Sequence, residues 1–99
     1  MTYVVIARDG SDAEAKARRR RTRPAHLDGI APFVERGQIL LGGAILDDVG
    51  EMIGSIVLAE FSTRAELDAW LTADPYVIEG VWQEIEVRDF RPAVGAWLP

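Results

Sequence analysis

The chain holds one histidine, His26, and one Asp-Pro step, Asp74-Pro75. These are the residues whose types and settings suit proton transfer. His26 is the only side chain here that titrates near neutral pH without help. It stands two residues after Pro24, and Pro24 suits the first turn of a helical segment. There the positive end of the helix dipole disfavours the imidazolium and favours the neutral imidazole that a general base requires. The bland alternative is a histidine bonded to neighbouring backbone, with no chemistry. Asp74 also has two readings. Before Pro75 it is a good helix N-cap. As a functional group it would accept a hydrogen bond from one ring nitrogen of His26, fixing the tautomer and stabilising the charged form. A carboxylate has acceptor sites enough for both roles. Its charge acts on His26 against the helix dipole, so the net direction is not set by sequence.

Other polar residues are candidates for binding rather than chemistry. Arg23 lies three residues before His26 and is placed to clamp a substrate carboxylate. Arg18, Arg19, Arg20 and Arg21 form a basic run. Four consecutive helical positions point in all directions, so the run reads as a solvated face. Tyr76 and Trp82 suit a pocket wall or a core equally well. Ser55 follows Gly54 in the middle of an expected strand, a poor setting for a nucleophile.

Several classes are excluded. The chain has no cysteine, hence no disulfide, thiolate nucleophile or cysteine-ligated metal. A single histidine rules out a multi-histidine metal site within one chain. There is no phosphate loop, dinucleotide fingerprint, nucleophile elbow or HExxH motif. Neither a metal nor a nucleotide cofactor is expected. A net charge of −5 disfavours nucleic acid as a partner. No apolar run approaches the roughly 18 residues that span a bilayer. The opening residues read as a strand rather than a signal peptide, so a cytoplasmic protein is expected.

The 99 residues suffice for one domain and one core, 1–99, with a tail over 92–99. Residues 2–8 read as a strand, apolar on both alternating faces and therefore central. Ser11 to Glu14 has the form of a capping box. A helix should follow through the arginines and break at Pro24, with a second segment carrying Leu27, Ile30, Ala31 and Val34 on its apolar face. Gly37 is a natural stop. Residues 38–46 and 54–61 read as a hairpin, with Gly42-Gly43 marking a bulge or a close backbone approach. Thr63 to Glu66 offers another capping box, before an apolar stripe of Leu67, Trp70 and Leu71. Residues 81–90 alternate as a fourth strand, with Val81, Gln83, Ile85 and Val87 on one face. The tail carries Trp97 and Leu98 with no partner in its own segment.

This order, β-α-β-β-α-β, is the ferredoxin-like α+β arrangement with a four-stranded antiparallel sheet. Two helices cover only one face of such a sheet. The first and third strands are apolar on both faces, so the open face must meet something other than water. The same face of a second copy is the simplest cover, giving a homodimer.

Two stretches carry a family resemblance. One is Arg23-Pro24-Ala25-His26-Leu27; the other runs from Ala69 through Trp70 and Asp74-Pro75-Tyr76 to Gly80-Val81. Gly37 to Gly43 and Gly54-Ser55-Ile56 fall where the second and third strands of that family lie. Over residues 1 to 92 the chain resembles the YciI-like (YCII-related) family. One departure is Gly43, where many members carry proline. The resemblance implies a ferredoxin-like subunit, a dimeric α+β barrel and an active site built on a His–Asp pair, which maps to His26 and Asp74. It places Ser55 near that pocket; Arg23 and Tyr76, read from the residues themselves, complete the candidate substrate contacts. One related enzyme eliminates chloride from a chlorinated hydroxyquinol, and similar barrels include muconolactone isomerase. The expected function is accordingly a lyase or isomerase acting on a small cyclic or enolisable compound. The rival is a non-catalytic ligand-binding or accessory dimer. A third reading is a haem barrel with His26 as axial ligand.

Overall fold

The computed structural model describes residues 1–96. Its elements run β1 (Thr2–Asp9), α1 (Ala15–Glu35), β2 (Ile39–Leu46), β3 (Met52–Glu60), α2 (Arg64–Ala73), α3 (Pro75–Ile78) and β4 (Trp82–Asp89). The strands form one antiparallel sheet in the order β2-β3-β1-β4. This is the ferredoxin-like topology. The two strands apolar on both faces, β1 and β3, lie at its centre, as their composition requires. The Trp97 and Leu98 side chains of the tail lie outside the described residues.

The register sorts the paired strand residues to one of two faces. Towards the helices stand the rows Ile39–Ala59–Tyr3–Asp89, Gly42–Val57–Val5–Val87 and Ala44–Ser55–Ala7–Ile85. Tyr3, Val5, Ala7, Val57 and Ala59 are buried there with Phe61, Leu67, Trp70 and Leu71. On the other face stand Leu41–Leu58–Val4–Arg88 and Gly43–Ile56–Ile6–Glu86. That face is apolar over three strands and charged at the β4 edge.

α2 starts as the sequence predicts: Thr63 Oγ1 accepts the Glu66 N–H at 3.2 Å. α1 departs from prediction in three ways. The capping box at Ser11 does not form. Asp12 makes the turn instead, its carboxylate accepting the Glu14 N–H and its carbonyl accepting the Ala15 N–H. The helix does not break at Pro24 but runs unbroken from Ala15 to Glu35 with Pro24 and Pro32 inside it. Each proline removes its own N–H bond and crowds the carbonyl four residues back, and burial along the helix outweighs that loss. His26 therefore sits near the middle of α1, away from the positive end of its dipole. Finally, the buried stripe of α1 is Ala15, Arg19, Thr22, His26 and Ile30, while Leu27 and Val34 are exposed. A helix with a largely polar inner face has something polar to hold.

α1 ends where Gly37 predicts. Gly37 takes φ +74, its N–H bonds Val34 C=O, and the Gln38 N–H bonds Phe33 C=O. This is a Schellman closure, which a Cβ would strain. Gly42-Gly43 marks neither a bulge nor a close approach: a Cβ on Gly42 would touch only Val57 at 3.9 Å, and one on Gly43 nothing. The β2 bulge falls at Leu40, which has no partner between Ile39↔Ala59 and Leu41↔Leu58. The close approach is at Gly54, where a Cβ would lie 2.6 Å from Ala7 O. β4 also breaks its alternation. A shift between Arg8 and Asp9 pairs Asp9 with Trp82 and leaves Gln83 unpaired. The bulge turns Trp82, not Gln83, onto the helix side with Ile85 and Val87.

Candidate active site

α1 and α3 bring His26 and Asp74 together across 48 residues of sequence. The local cause at Asp74 is Pro75, which forces the preceding residue into extended backbone. Asp74 has φ −70 and ψ 135, and Pro75 opens α3 at its first position. In this conformation Asp74 Oδ1 accepts the Tyr76 N–H at 2.8 Å. The same oxygen lies 2.8 Å from His26 Nδ1, and Oδ2 lies 3.0 Å from it. Capping and pairing are thus simultaneous. Both side chains are buried. An acceptor-only carboxylate at Nδ1 places the proton on Nδ1 and leaves the lone pair on Nε2.

Tyr76 fixes the imidazole plane. Its ring stacks on His26 at 3.9 Å between centroids, with planes 9° apart. Trp82 meets both rings edge-on, at 5.7 Å from His26 and 5.3 Å from Tyr76. Burial pushes the Tyr76 phenol above its ordinary value, and the charges of Arg19 and Arg23 only partly oppose this. Tyr76 is therefore a neutral wall at physiological pH.

A second polar group adjoins this pair. Arg19 is 5% exposed. Its Nη1 donates to both Asp9 carboxylate oxygens at 2.9 and 3.0 Å, and its Nη2 donates to Ser55 Oγ at 2.7 Å. Its Cζ lies 4.8 Å above the Tyr76 ring. Trp82 Nε1 donates to the same Ser55 oxygen at 3.2 Å. Burial raises the Asp9 carboxyl above its usual value, and Arg19 opposes that shift through hydrogen bonds and charge.

His26, Arg19, Arg23, Ser55 and Tyr76 together line a cavity of about 280 Å³. Its other walls are apolar, including Leu27, Ile30, Val34 and Ile39, with Gly42-Gly43 along one side. That volume lies at the small end of ligand sites, roughly 300–1,000 Å³. Exposed Arg23 stands at the edge, with no ion-pair partner among the described residues.

All five residues singled out from sequence meet at this one cavity or beside it: Asp74 behind His26, the other four in its wall. Trp82, read as a pocket wall or a core residue, stands edge-on to His26 and Tyr76; two others, Arg19 and Asp9, were missed. Arg19 was assigned to a solvated run, yet only Arg20 and Arg21 of that run are exposed, while half-buried Arg18 pairs with Asp12. The legible signal was spacing: Arg19 and His26 are seven residues apart, two turns along one helix face. Asp9 gave no comparable signal, and the β4 bulge decides where Trp82 points.

A ferredoxin-like subunit with a buried His–Asp pair beside a small apolar cavity is the class that fold and site define. The chain belongs to the YCII-related domain family, whose model matches residues 1–91. It is 36% identical over 97 residues to Protein YciI of Escherichia coli O6:H1, covering 92% of this chain and 97% of that one. A relative from Haemophilus influenzae is 29% identical over the same span. Among solved structures, the chain is similar to 5-chloro-2-hydroxyhydroquinone dehydrochlorinase from Burkholderia phenoliruptrix, in complex with 2,5-dihydroxybenzoquinone. The TM-score is 0.80 at 22% identity, with 94% of this chain and 96% of that one covered. A dimeric ferredoxin-like protein from Jannaschia matches with TM-score 0.53 at 18% identity, covering 92% and 98%. These two likenesses concern the fold. No helix among the described residues is long and apolar enough to cross a membrane.

Proposed function

We propose that the protein is a cytoplasmic homodimeric enzyme of the lyase or isomerase type, acting on a small cyclic or enolisable compound. His26 is its general acid and base, and Asp74 is the group that orients it. The observation that carries this reading is the 2.8 Å contact between His26 Nδ1 and Asp74 Oδ1, with the imidazole in the cavity wall. Such a pair holds Nε2 ready to take a proton from a substrate carbon and to return it elsewhere. Arg23 at the edge suits an anionic group on the substrate. The dehydrochlorinase shares the fold and acts on a hydroxylated ring, so ring compounds of that kind are the first to assay.

The homodimer is supported by the open sheet face. Val4, Ile6, Ile56 and Leu58 lie side by side on it, with Leu41 at its edge, and an apolar face of this extent calls for a partner.

The test measures chloride release from 5-chloro-2-hydroxyhydroquinone and turnover of small lactone-forming hydroxy acids. His26→Gln keeps a polar side chain and removes titration, so folding should survive. Any turnover should fall by roughly 10²–10⁴-fold, the usual worth of a positioned base. Full activity in His26→Gln would overturn the role of His26 and favour a non-catalytic ligand-binding dimer.

A further inference from the structure

Ser55 is held in an unusual way. A hydroxyl has two acceptor lone pairs and one donor proton. Both acceptor sites of Ser55 Oγ are filled, by Arg19 Nη2 at 2.7 Å and by Trp82 Nε1 at 3.2 Å. Among the described residues no acceptor takes its proton, and Ser55 lines the cavity shared with His26. The hydroxyl is thus a donor with no partner among the described residues, polarised by a guanidinium on its oxygen. Such a bond to a charged donor is stronger than a neutral one. Arg19 itself is committed to this task. It is braced by Asp9 and Tyr76, and its buried Nε has no partner among the described residues. A buried unpartnered donor in a native structure calls for an explanation, and function is a common one.

We propose that Ser55, with Arg19 as its positioning residue, is the hydrogen-bond donor for an oxygen that bears or develops negative charge on the substrate. This rests on the acid–base reading of His26. The substrate class it implies is a small, apolar-bodied compound with a carbonyl next to, or in conjugation with, the carbon that loses the proton, ring ketones that become phenolates included. When His26 Nε2 takes that proton, the C–H electron pair becomes a C=C bond and the carbonyl π pair moves onto oxygen. The resulting enolate or phenolate oxygen accepts the Ser55 O–H. Collapse of that charge then returns a proton to another carbon or expels a leaving group with its electron pair. No oxidant or reductant is required. The same arrangement speaks against Ser55 as a nucleophile, because its oxygen is occupied by two donors and no base adjoins its proton.

The test is binding of 4-nitrophenol to the full chain, followed by absorbance from pH 5 to 9. Its methyl ether, 4-nitroanisole, is the neutral control and 4-nitrobenzoate the carboxylate arm. Bound 4-nitrophenol should ionise at lower pH than the free compound. Ser55→Ala should weaken binding of the phenolate by roughly 10- to 100-fold while leaving 4-nitroanisole unchanged. Ser55→Thr, which retains the hydroxyl, should restore most of the preference. Ser55-dependent binding of 4-nitrobenzoate as well would assign the subsite to oxyanions in general; dependence for the phenolate alone would assign it to phenolates and enolates. In His26→Gln the preference should persist, which separates failure of this subsite from failure of the base. Equal affinity for phenol and phenolate, equal phenolate binding by wild type and Ser55→Ala, or no binding of any probe at millimolar concentration would overturn the proposal.

Discussion

Asp74 Oδ1 accepts the Tyr76 backbone N–H and faces His26 Nδ1, each at 2.8 Å. One oxygen atom therefore starts α3 and orients the imidazole. The helix cap and the site are tied through this one carboxylate, whose second oxygen also lies 3.0 Å from Nδ1.

This dual use predicts a separation between two substitutions. Asp74→Asn keeps an oxygen for the cap, so stability should fall by about 1 kcal/mol or less. That oxygen, at the Oδ1 position, can still accept the Nδ1–H, but the negative charge beside the imidazole is lost, so turnover should drop by less than in His26→Gln. Asp74→Ala removes the cap and leaves a buried ring nitrogen unpaired, at a cost of about 2–4 kcal/mol. Thermal midpoints and turnover of the two variants check this. Equal loss of stability in both would mean that the cap does not depend on the oxygen.

The Asp9–Arg19 pair predicts a pH effect with a definite sign. Burial holds the Asp9 carboxyl above its ordinary value, and the hydrogen bonds and charge of Arg19 oppose the rise. In Arg19→Met both opposing influences vanish, so Asp9 should titrate at still higher pH. Its folded value lies above its unfolded value, so between the two the folded chain holds a proton that the unfolded chain has released. Stability from this group is then complete below about pH 4 and is lost as pH rises through the folded value. The loss should be larger in Arg19→Met than in wild type. Carbon-13 titration of the Asp9 carboxyl and thermal midpoints from pH 4 to 7 test it. A carboxyl at or below its usual value in the variant would contradict the assignment.

The open face predicts the solution mass. Wild type at micromolar concentration should show twice the chain mass by light scattering. Ile56→Asp places a charge in the apolar row Gly43–Ile56–Ile6 at a position already exposed in the subunit. It should give a folded single-chain species, since an unpaired charge in the centre of an interface is strongly unfavourable. A folded wild-type monomer would remove the basis for the dimer.

The elements of this protein follow from local chemistry that the sequence displays. Alternation makes β1 and β3 central, Thr63 and Glu66 start α2, Gly37 ends α1, and Asp74-Pro75 starts α3. His26 and Asp74 were legible as candidates for the same reason: each residue type in its own few neighbours limits what it can do. What the sequence could not decide was every question answered by a distant contact. Pro24 does not break α1, because burial along the whole helix outweighs one lost hydrogen bond. Leu27 and Val34 line a cavity instead of filling a core, while Arg19 from a basic run is buried by Asp9 and Ser55. The bulge between Arg8 and Asp9 turns Trp82 inward, because register depends on pairing between strands and not on the pattern within one. Composition and spacing thus indicated the fold and the candidate pair. Tertiary packing alone decided which donors surround that pair, since a polar side chain can be buried only where partners from other elements meet it.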